Sequence, residues 1–283
     1  MTHRYTIDSL LEEIVTLPSL PDSVFRITEM VNSPDPNMHD IGKAISADPA
    51  LALKTLRLVN SAYYGLANKV TSVEHAVTLL GLRVLKNLVF TATVFETFKT
   101  STADLLRHSV ACAVAMRTIA EARINTMEFD PEEAFIFGLL HDIGKIIFQQ
   151  FLPEDFESAV HASHVRGIPL FIAEQDVIGV DHAELGACLA EKWGLPPALV
   201  QAVASHHDLS NCSDVALRPL AATLAVADYF CIAAGIPADK RSVLHCADGA
   251  FGAAKISNDQ IPDLLNRFFR AHGSIDEYIQ VAA

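Results

Sequence analysis

The sequence predicts an all-α protein, a compact multi-helix bundle, and three observations carry that prediction. Alternation of β-branched and polar residues, the mark of a half-buried strand, never persists. Apolar residues instead recur at i, i+3, i+4 and i+7, as with Leu51, Leu53, Leu56, Leu58 and Val59. Helix boundaries are signalled again and again by an acid or hydroxyl placed before a proline or an apolar run. In chain order, Asp22 behind Leu20-Pro21 opens a helix that Asn32-Ser33-Pro34 stops, and Asp48-Pro49 opens a segment that closes at Tyr64-Gly65. Ser72, Ser101-Thr102 and Asp130-Pro131 mark three further starts. Asp181, with Glu184 three residues on, has the spacing of a capping box, and Trp193-Gly194-Leu195-Pro196 ends that helix. Pro196-Pro197 begins the next, and Gly235 closes the last strongly apolar one. Two helical subdomains are expected, residues 1–100 and 101–283, with a soft boundary near Thr97 to Thr102 and neither a repeat nor a low-complexity tract between them.

Bulk properties narrow the function classes. With 51% hydrophobic residues and a mean hydropathy of +0.28, the 283-residue chain can bury one large core or two small ones. Its net charge of −13 and pI near 5.3 lack the basic footprint that phosphate backbones require, so nucleic acid is not an expected partner. MTHRYTIDSLLEEI places acids where an export signal has a basic and then an apolar region, and a cytoplasmic location is expected. One stretch, Leu217 to Ala238, has the length of a membrane span, but Asp228 lies in its middle and Arg218 near its start. An unpaired carboxylate there would cost several kcal/mol. The stretch is therefore read as a buried helix whose aspartate has a partner, and no membrane association is expected. Cys112, Cys188, Cys212, Cys231 and Cys246 show no C-x-x-C spacing and are assigned no chemistry.

The chemistry-bearing stretch is GLLHDIGKIIF, residues 138–148, which sets His141 and Asp142 in the most apolar surroundings of the chain. Other polar residues intrude on apolar helices in the same way. Asp104 and His108 are i and i+4 on one helix face. His182 follows the N-cap Asp181, which puts it in a first helical turn. His206-His207 ends the run PPALVQAVASHHDL, and Asp228 completes the set. Singly, each has an ordinary structural reading: a hydrogen-bonded core histidine, a first-turn acid, a solvated helix end. Together, imidazoles and carboxylates on five apolar helices are what a divalent cation requires, because the cation neutralises carboxylates that are otherwise costly to bury. The rival account of Asp228 is a structural pair with Arg83 or Arg117. His3, His39, His75, His161, His164, His245 and His272 lie in more polar contexts and are set aside.

The order H, HD with a trailing G-K, H, HH, D resembles the HD superfamily of metal-dependent phosphohydrolases, in particular the metal core of the HD-GYP phosphodiesterases. By that likeness His108, His141, Asp142, His182, His206, His207 and Asp228 match ligand positions, Asp104 falls where that core carries an acid, and Lys145 where a lysine contacts phosphate. After His206-His207 the chain reads DLSNCSDVALRP, without Gly-Tyr-Pro, which argues against hydrolysis of cyclic di-GMP. LPSLPDSVFRITEMV, ADPALALKTLRLVNSAYYG and TSVEHAVTLLGLRVLKNLV resemble the HDOD family, the HD-related output domains of bacterial signalling proteins, over about Leu17 to Leu209. The resemblance implies an HD-type helical bundle with an N-terminal helical subdomain, acting on other signalling proteins, and two divalent metal ions. Iron or manganese is implied by the likeness, and nickel or zinc also suits mixed imidazole–carboxylate ligation. Two functions follow: a regulatory module organised by metal, or a hydrolase of a nucleotide-like phosphoester in which Asp142 and Lys145 are the catalytic residues, Asp142 bridging metals or orienting the nucleophile.

Overall fold

A computed structural model describes residues 5–14, 22–61, 64–97, 103–123, 129–239 and 242–272, with Ile275 and Ile279. The described residues form helices and turns, with no strand among them. They fall into two compact units, one within Met1–Leu17 and Thr100–Arg270, the other within Pro18–Lys99 and Ala271–Ala283. In chain order the first helix is α1 (Ile7–Glu13). It is followed by α2 (Asp22–Asn32), α3 (Met38–Ser46), α4 (Pro49–Val59) and α5 (Val73–Thr97), which build the smaller unit.

In that smaller unit α5 is the common partner of α2, α3 and α4. Val24, Ile27, Ile41, Ile45, Leu58, Leu85, Leu88 and Val89, each at most 1% exposed, form its core. Asp48 caps α4 by accepting from the backbone N–H groups of Ala50 and Leu51, as the Asp-Pro signal predicts. Ser72 accepts from the N–H of His75 at the start of α5. Gly81, at φ 80 and ψ 167, breaks α5 into two segments; a side chain would be strained in that backbone conformation. Asn60 pins the loop that follows α4, since its amide bonds the carbonyls of Leu56 and Val70 and accepts from the Val70 N–H. The start signals at Leu20-Pro21 and Ser101-Thr102 lie outside the described residues.

The larger unit contains α6 (Ala103–Ala122), α7 (Pro131–Leu140), α8 (Ile143–Phe151), α9 (Pro153–Arg166), α10 (Leu170–Val177), α11 (His182–Lys192), α12 (Pro197–Ser205), α13 (Arg218–Ala233), α14 (Ala250–Ala253) and α15 (Ile261–His272), the last running past the unit boundary. Helix α6 lies against both α7 and α13, which is why apolar residues surround it rather than forming one stripe. Two glycines of GLLHDIGK permit the closest approaches. A Cβ on Gly138 would sit 2.5 Å from the carbonyl oxygen of Cys112 on α6, and one on Gly144 would sit 2.0 Å from that of His182 on α11. Only hydrogen fits at either place.

Asp130 caps α7 and Asp181 caps α11, both as the sequence predicts. The stretch singled out for its membrane-like length, Leu217 to Ala238, forms the 16-residue α13, with Asp228 buried among core residues. Among the described residues, Val73–Thr93 is the one helical stretch long and apolar enough to cross a membrane; 61% of it is buried in the protein, and Gly81 interrupts it.

Candidate metal centre

The His-Asp pair sits at a joint between helices. His141 is the C-cap of α7, and Asp142 is the N-cap of α8, yet the Asp142 side chain makes no capping hydrogen bond. Its carboxylate is thereby left to the interior. His182 opens α11, His206 closes α12, and His108 and Asp228 come from the middles of α6 and α13. His108, His141, Asp142 and His182 are 0% exposed, His206 1% and Asp228 4%.

Four of the five imidazoles, those of His108, His141, His182 and His206, are oriented through Nδ1. The Nδ1 of His108 lies 2.7 Å from the Ile236 carbonyl oxygen, that of His141 2.8 Å from Gly138, and that of His206 2.6 Å from Val203. A carbonyl can only accept, so Nδ1–H donates in all three and Nε2 is the atom left facing inward. His182 follows the same rule with a carboxylate: its Nδ1 bonds Glu174 Oε2 at 2.5 Å, and its backbone N–H reaches the same oxygen at 2.9 Å. The Nε2 atoms converge. His108 Nε2 lies 3.3 Å from His141 Nε2 and 3.0 Å from Asp228 Oδ1, and His182 Nε2 lies 2.8 Å from His207 Nε2. With Nδ1–H committed to a carbonyl in each, neutral His108 and His141 would point Nε2 lone pairs at one another, an arrangement that needs a proton or a cation between them.

Asp142 joins two ligand groups. Its Oδ2 is 3.5 Å from His108 Nε2 and 3.4 Å from His141 Nε2, while Oδ1 is 3.3 Å from His182 Nε2 and 4.0 Å from His206 Nε2. In one group His108, His141 and Asp142 each offer a donor atom, in the other Asp142, His182, His206 and His207, all within 4.8 Å of one another in each group. Asp142 Oδ1, His206 Nε2 and Asp228 Oδ1 are buried without a hydrogen bond. Buried polar atoms normally find partners. Nitrogen and oxygen donors left open at buried positions match the ligand preferences of a divalent transition metal, so these residues fit such an ion.

The electrostatics agree. Burial raises the carboxyl of Asp142, but His141, Lys145 and His182 outweigh it and hold the group well below the usual range. Asp228 is likewise opposed by burial yet held at about 2 by His108. Burial lowers His182, and the Glu174 and Asp142 carboxylates together more than reverse this, to about 9; His108 is raised against burial by Asp228. Burial lowers His206 to about 3, His141 and His182 adding to it, and it lowers His141 and His207 as well.

Not every expected residue joins the cluster. Asp104 lies half-buried one turn before His108 and belongs to neither donor group. Lys145 is 8% exposed and its Nζ donates to Asp142 Oδ2 at 2.7 Å. The partner of Asp228 is His108 rather than Arg83 or Arg117; Arg117 pairs with Glu121 and Glu132. Glu174 was missed by the sequence analysis although it is 0% exposed, and the signal was there: an acid in the apolar run LFIAEQDVIGV. His245, set aside on the sequence, is half-buried with Nε2 3.1 Å from the carbonyl of His207, and Phe171 stacks on the His207 ring at 4.9 Å and 7°. These three residues line the more open side of the cluster.

Fold and site together define a class: helical proteins with a buried, multi-histidine centre suited to divalent metal. Residues 17–209 match the HDOD domain model, and the chain belongs to the HDOD family. An uncharacterized protein of Treponema pallidum (strain Nichols) is 30% identical over 222 residues, 78% of this chain and 43% of the relative, so the chain spans less than half of that protein's length. The crystal structure of an HDOD domain protein of unknown function from Geobacter sulfurreducens superposes with a TM-score of 0.82 at 24% identity, covering 96% of both chains. A protein of Shewanella amazonensis SB2B, provisionally named a phosphohydrolase, superposes with a TM-score of 0.75 at 27% identity, covering 97% of this chain and 98% of its own.

Proposed function

We propose that the protein is a regulatory, signal-transducing HDOD module that holds divalent metal in the α6–α8–α11–α12–α13 cluster. The observation that carries this is the common use of Nδ1: four imidazoles are tethered through it and present Nε2 inward, the outer-shell arrangement of metal-ligating histidines. His108, His141, Asp142 and Asp228 would hold one ion, and Asp142, His182, His206 and His207 a second, Asp142 being shared. The HD-GYP-like ligand set is thus kept without its Gly-Tyr-Pro segment. Bound metal supplies Lewis acidity and positive charge. The chain's own residues supply the rest: Glu174 fixes the tautomer of His182, and Lys145 balances Asp142. As a regulatory device the centre ties five helices together, so that its occupancy sets the surface offered to other signalling proteins.

A second reading, hydrolysis of a nucleotide-like phosphoester, draws on the charge inside the site. Asp142, Asp228 and Glu174 contribute −3 and Lys145 +1, leaving −2 with neutral imidazoles. Two divalent cations would turn this into +2, which a bound phosphoester dianion offsets. In that reading Asp142 and Lys145 are the catalytic pair. Elemental analysis of the purified protein tests the common premise, with iron or manganese expected ahead of nickel or zinc. Bound metal without turnover on a panel of phosphomonoesters and phosphodiesters, cyclic di-GMP included, supports the regulatory module. Turnover that rises with added Mn²⁺ or Fe²⁺ establishes the hydrolase instead. A protein that neither retains nor takes up metal removes both.

A further inference from the structure

Of the five imidazoles at the candidate metal centre, one is held differently from the rest. His108, His141, His182 and His206 are at most 1% exposed, and each is tied through Nδ1 to a carbonyl or carboxylate oxygen no more than 2.8 Å away. His207 is half-buried, and its Nδ1 makes no hydrogen bond with the described residues. Its Nε2 nevertheless stands 2.8 Å from that of His182 and joins the same donor group. What holds the ring there lies outside that group.

Two side chains hold it. Phe171 stacks on the His207 ring, with centroids 4.9 Å apart and planes 7° from parallel. His245 reaches the backbone: its Nε2 lies 3.1 Å from the His207 carbonyl, and because a carbonyl only accepts, Nε2–H is the donor. That carbonyl lies beyond Ser205, where α12 ends, and so outside the helical hydrogen-bond ladder. The His245 ring also lies 5.3 Å from that of Phe171, so the two form one wall beside His207. Phe171 is three residues before Glu174 on α10 and shares its face, so one turn of α10 meets both His182 and His207. His245 belongs to the irregular stretch after α13, which Cys246 joins to that helix through a thiol 3.9 Å from the Ala225 carbonyl. It lies beyond residues 17–209, the span that matches the family model.

We propose that His207 is the exchangeable ligand of the centre, that Phe171 and His245 are its positioning residues, and that its place is where a small nitrogen or oxygen donor from solvent enters. The inference rests on the metal reading above and names the side on which that centre opens. A ring tied through Nδ1 turns away only by breaking a buried hydrogen bond and stranding its partner, which is costly. The His207 ring breaks no Nδ1 bond when it turns, and solvent already touches it. Removing Phe171 or His245 therefore loosens this ligand and leaves the four tethered ones in place. Structural metal centres close every position with protein donors, and catalytic ones keep a position open. Here the position is filled by a ligand that can yield.

Titration of the full chain with Co²⁺ against a chromophoric chelator, at one fixed pH, tests this, with metal-free thermal melts of each variant alongside. His245→Ala and Phe171→Leu each weaken Co²⁺ binding about tenfold. His245→Gln, whose side-chain amide still donates to the His207 carbonyl, recovers most of that loss. His207→Ala weakens Co²⁺ binding about 10- to 100-fold, and free imidazole restores it because the vacated place opens to solvent. At saturating Co²⁺, azide changes the visible spectrum of the parent chain and binds more tightly to His245→Ala. A His245→Ala that melts lower but binds Co²⁺ as the parent does is a structural variant only, and it overturns the proposal. So does a His245→Gln no better than His245→Ala, a folded His207→Ala that imidazole fails to restore, or a parent spectrum indifferent to azide. A parent chain that takes up no Co²⁺ removes the metal reading and this inference with it, whereas uptake that none of these variants alters removes this inference alone.

Discussion

In the unit built on α2 to α5, the buried polar side chains among the described residues are Thr55, Ser61, Asn87, Thr91 and Thr93, none of which ionises. In the unit built on α6 to α15 they include His108, Arg123, His141, Asp142, Lys145, Glu174, Asp181, His182, His206 and Asp228. The smaller unit meets its polar needs locally: Ser61 Oγ donates to the Leu58 carbonyl at 2.6 Å and Thr91 Oγ1 to that of Asn87 at 2.8 Å. The larger unit gathers charge from helices far apart in sequence. Burying an isolated ion is prohibitive, and burying several is tolerable only when each compensates another or a bound ion compensates all. Among the described residues the contrast confines the buried ionisable groups to one unit and gives the other a core that any apolar bundle could have.

The largest test of that contrast is backbone contact at the helix joint. Gly144→Ala drives a Cβ to 2.0 Å from the His182 carbonyl, with backbone on both sides and nothing flexible to yield. It is expected to cost about 3 kcal/mol or more, read as loss of soluble protein or of the cooperative melt. A glycine in the smaller unit such as Gly81 has no neighbour within 4 Å of an added Cβ, and there the cost is conformational strain alone.

Next comes the charge at the centre. Asp142→Asn strands the buried Lys145 ammonium that now lies 2.7 Å away, at a cost of roughly 3 to 5 kcal/mol. Adding Lys145→Met should restore the melting temperature while metal binding stays lost. Recovery of metal together with stability would show that Asp142 is no ligand.

Glu174→Gln and Asp228→Asn are milder. Both keep shape, and the imidazoles they face, His182 and His108, can shed a proton when the carboxylate is lost, so the metal-free fold should lose stability at neutral pH but less than in Asp142→Asn, while metal affinity falls about 10- to 100-fold, measured by competition with a chromophoric chelator. Full metal occupancy with a large loss of stability would make Asp228 a structural residue.

The pH dependence follows from the histidines. His182 in the metal-free chain is held at about 9, above its ordinary value, so it is protonated at neutral pH and must lose that proton to coordinate through Nε2. His108 is raised too, while His206 and His207 are lowered and stay neutral. Metal affinity should therefore climb as pH rises from 6 toward about 9, by up to about tenfold per unit for each proton released, and calorimetry in buffers of different ionisation enthalpy should count those protons. Affinity independent of pH over this range would remove His182 from the ligand set.

The smallest effects belong to the other unit. Asn60→Ala removes the hydrogen bonds that pin the loop to Leu56 and Val70 and should cost about 1 to 3 kcal/mol without altering metal affinity. Thr55 Oγ1 is buried without a hydrogen bond, so Thr55→Val should be neutral or stabilising by about 1 kcal/mol in thermal melts.

The sequence by itself determined the all-α fold and most of the donors, because both rest on local signals: helical spacing of apolar residues, Asp-Pro and Asp-x-x-Glu caps, and histidines standing where the pattern calls for leucine. It also foretold that Asp228 needs a partner, since a carboxylate in an apolar helix is costly wherever the chain goes. Which partner it takes was decided by packing, as α13 lies against α6 and meets His108 there rather than an arginine. The same holds for Glu174, whose role exists only because α10 and the start of α11 bring it beneath His182, and for Asp104, which one turn of α6 separates from the cluster that His108 joins. Ligand geometry and outer-shell hydrogen bonds depend on ångström-scale distances between helices remote in sequence, and these are set by tertiary contacts such as the bare backbones of Gly138 and Gly144, not by any periodicity of the chain.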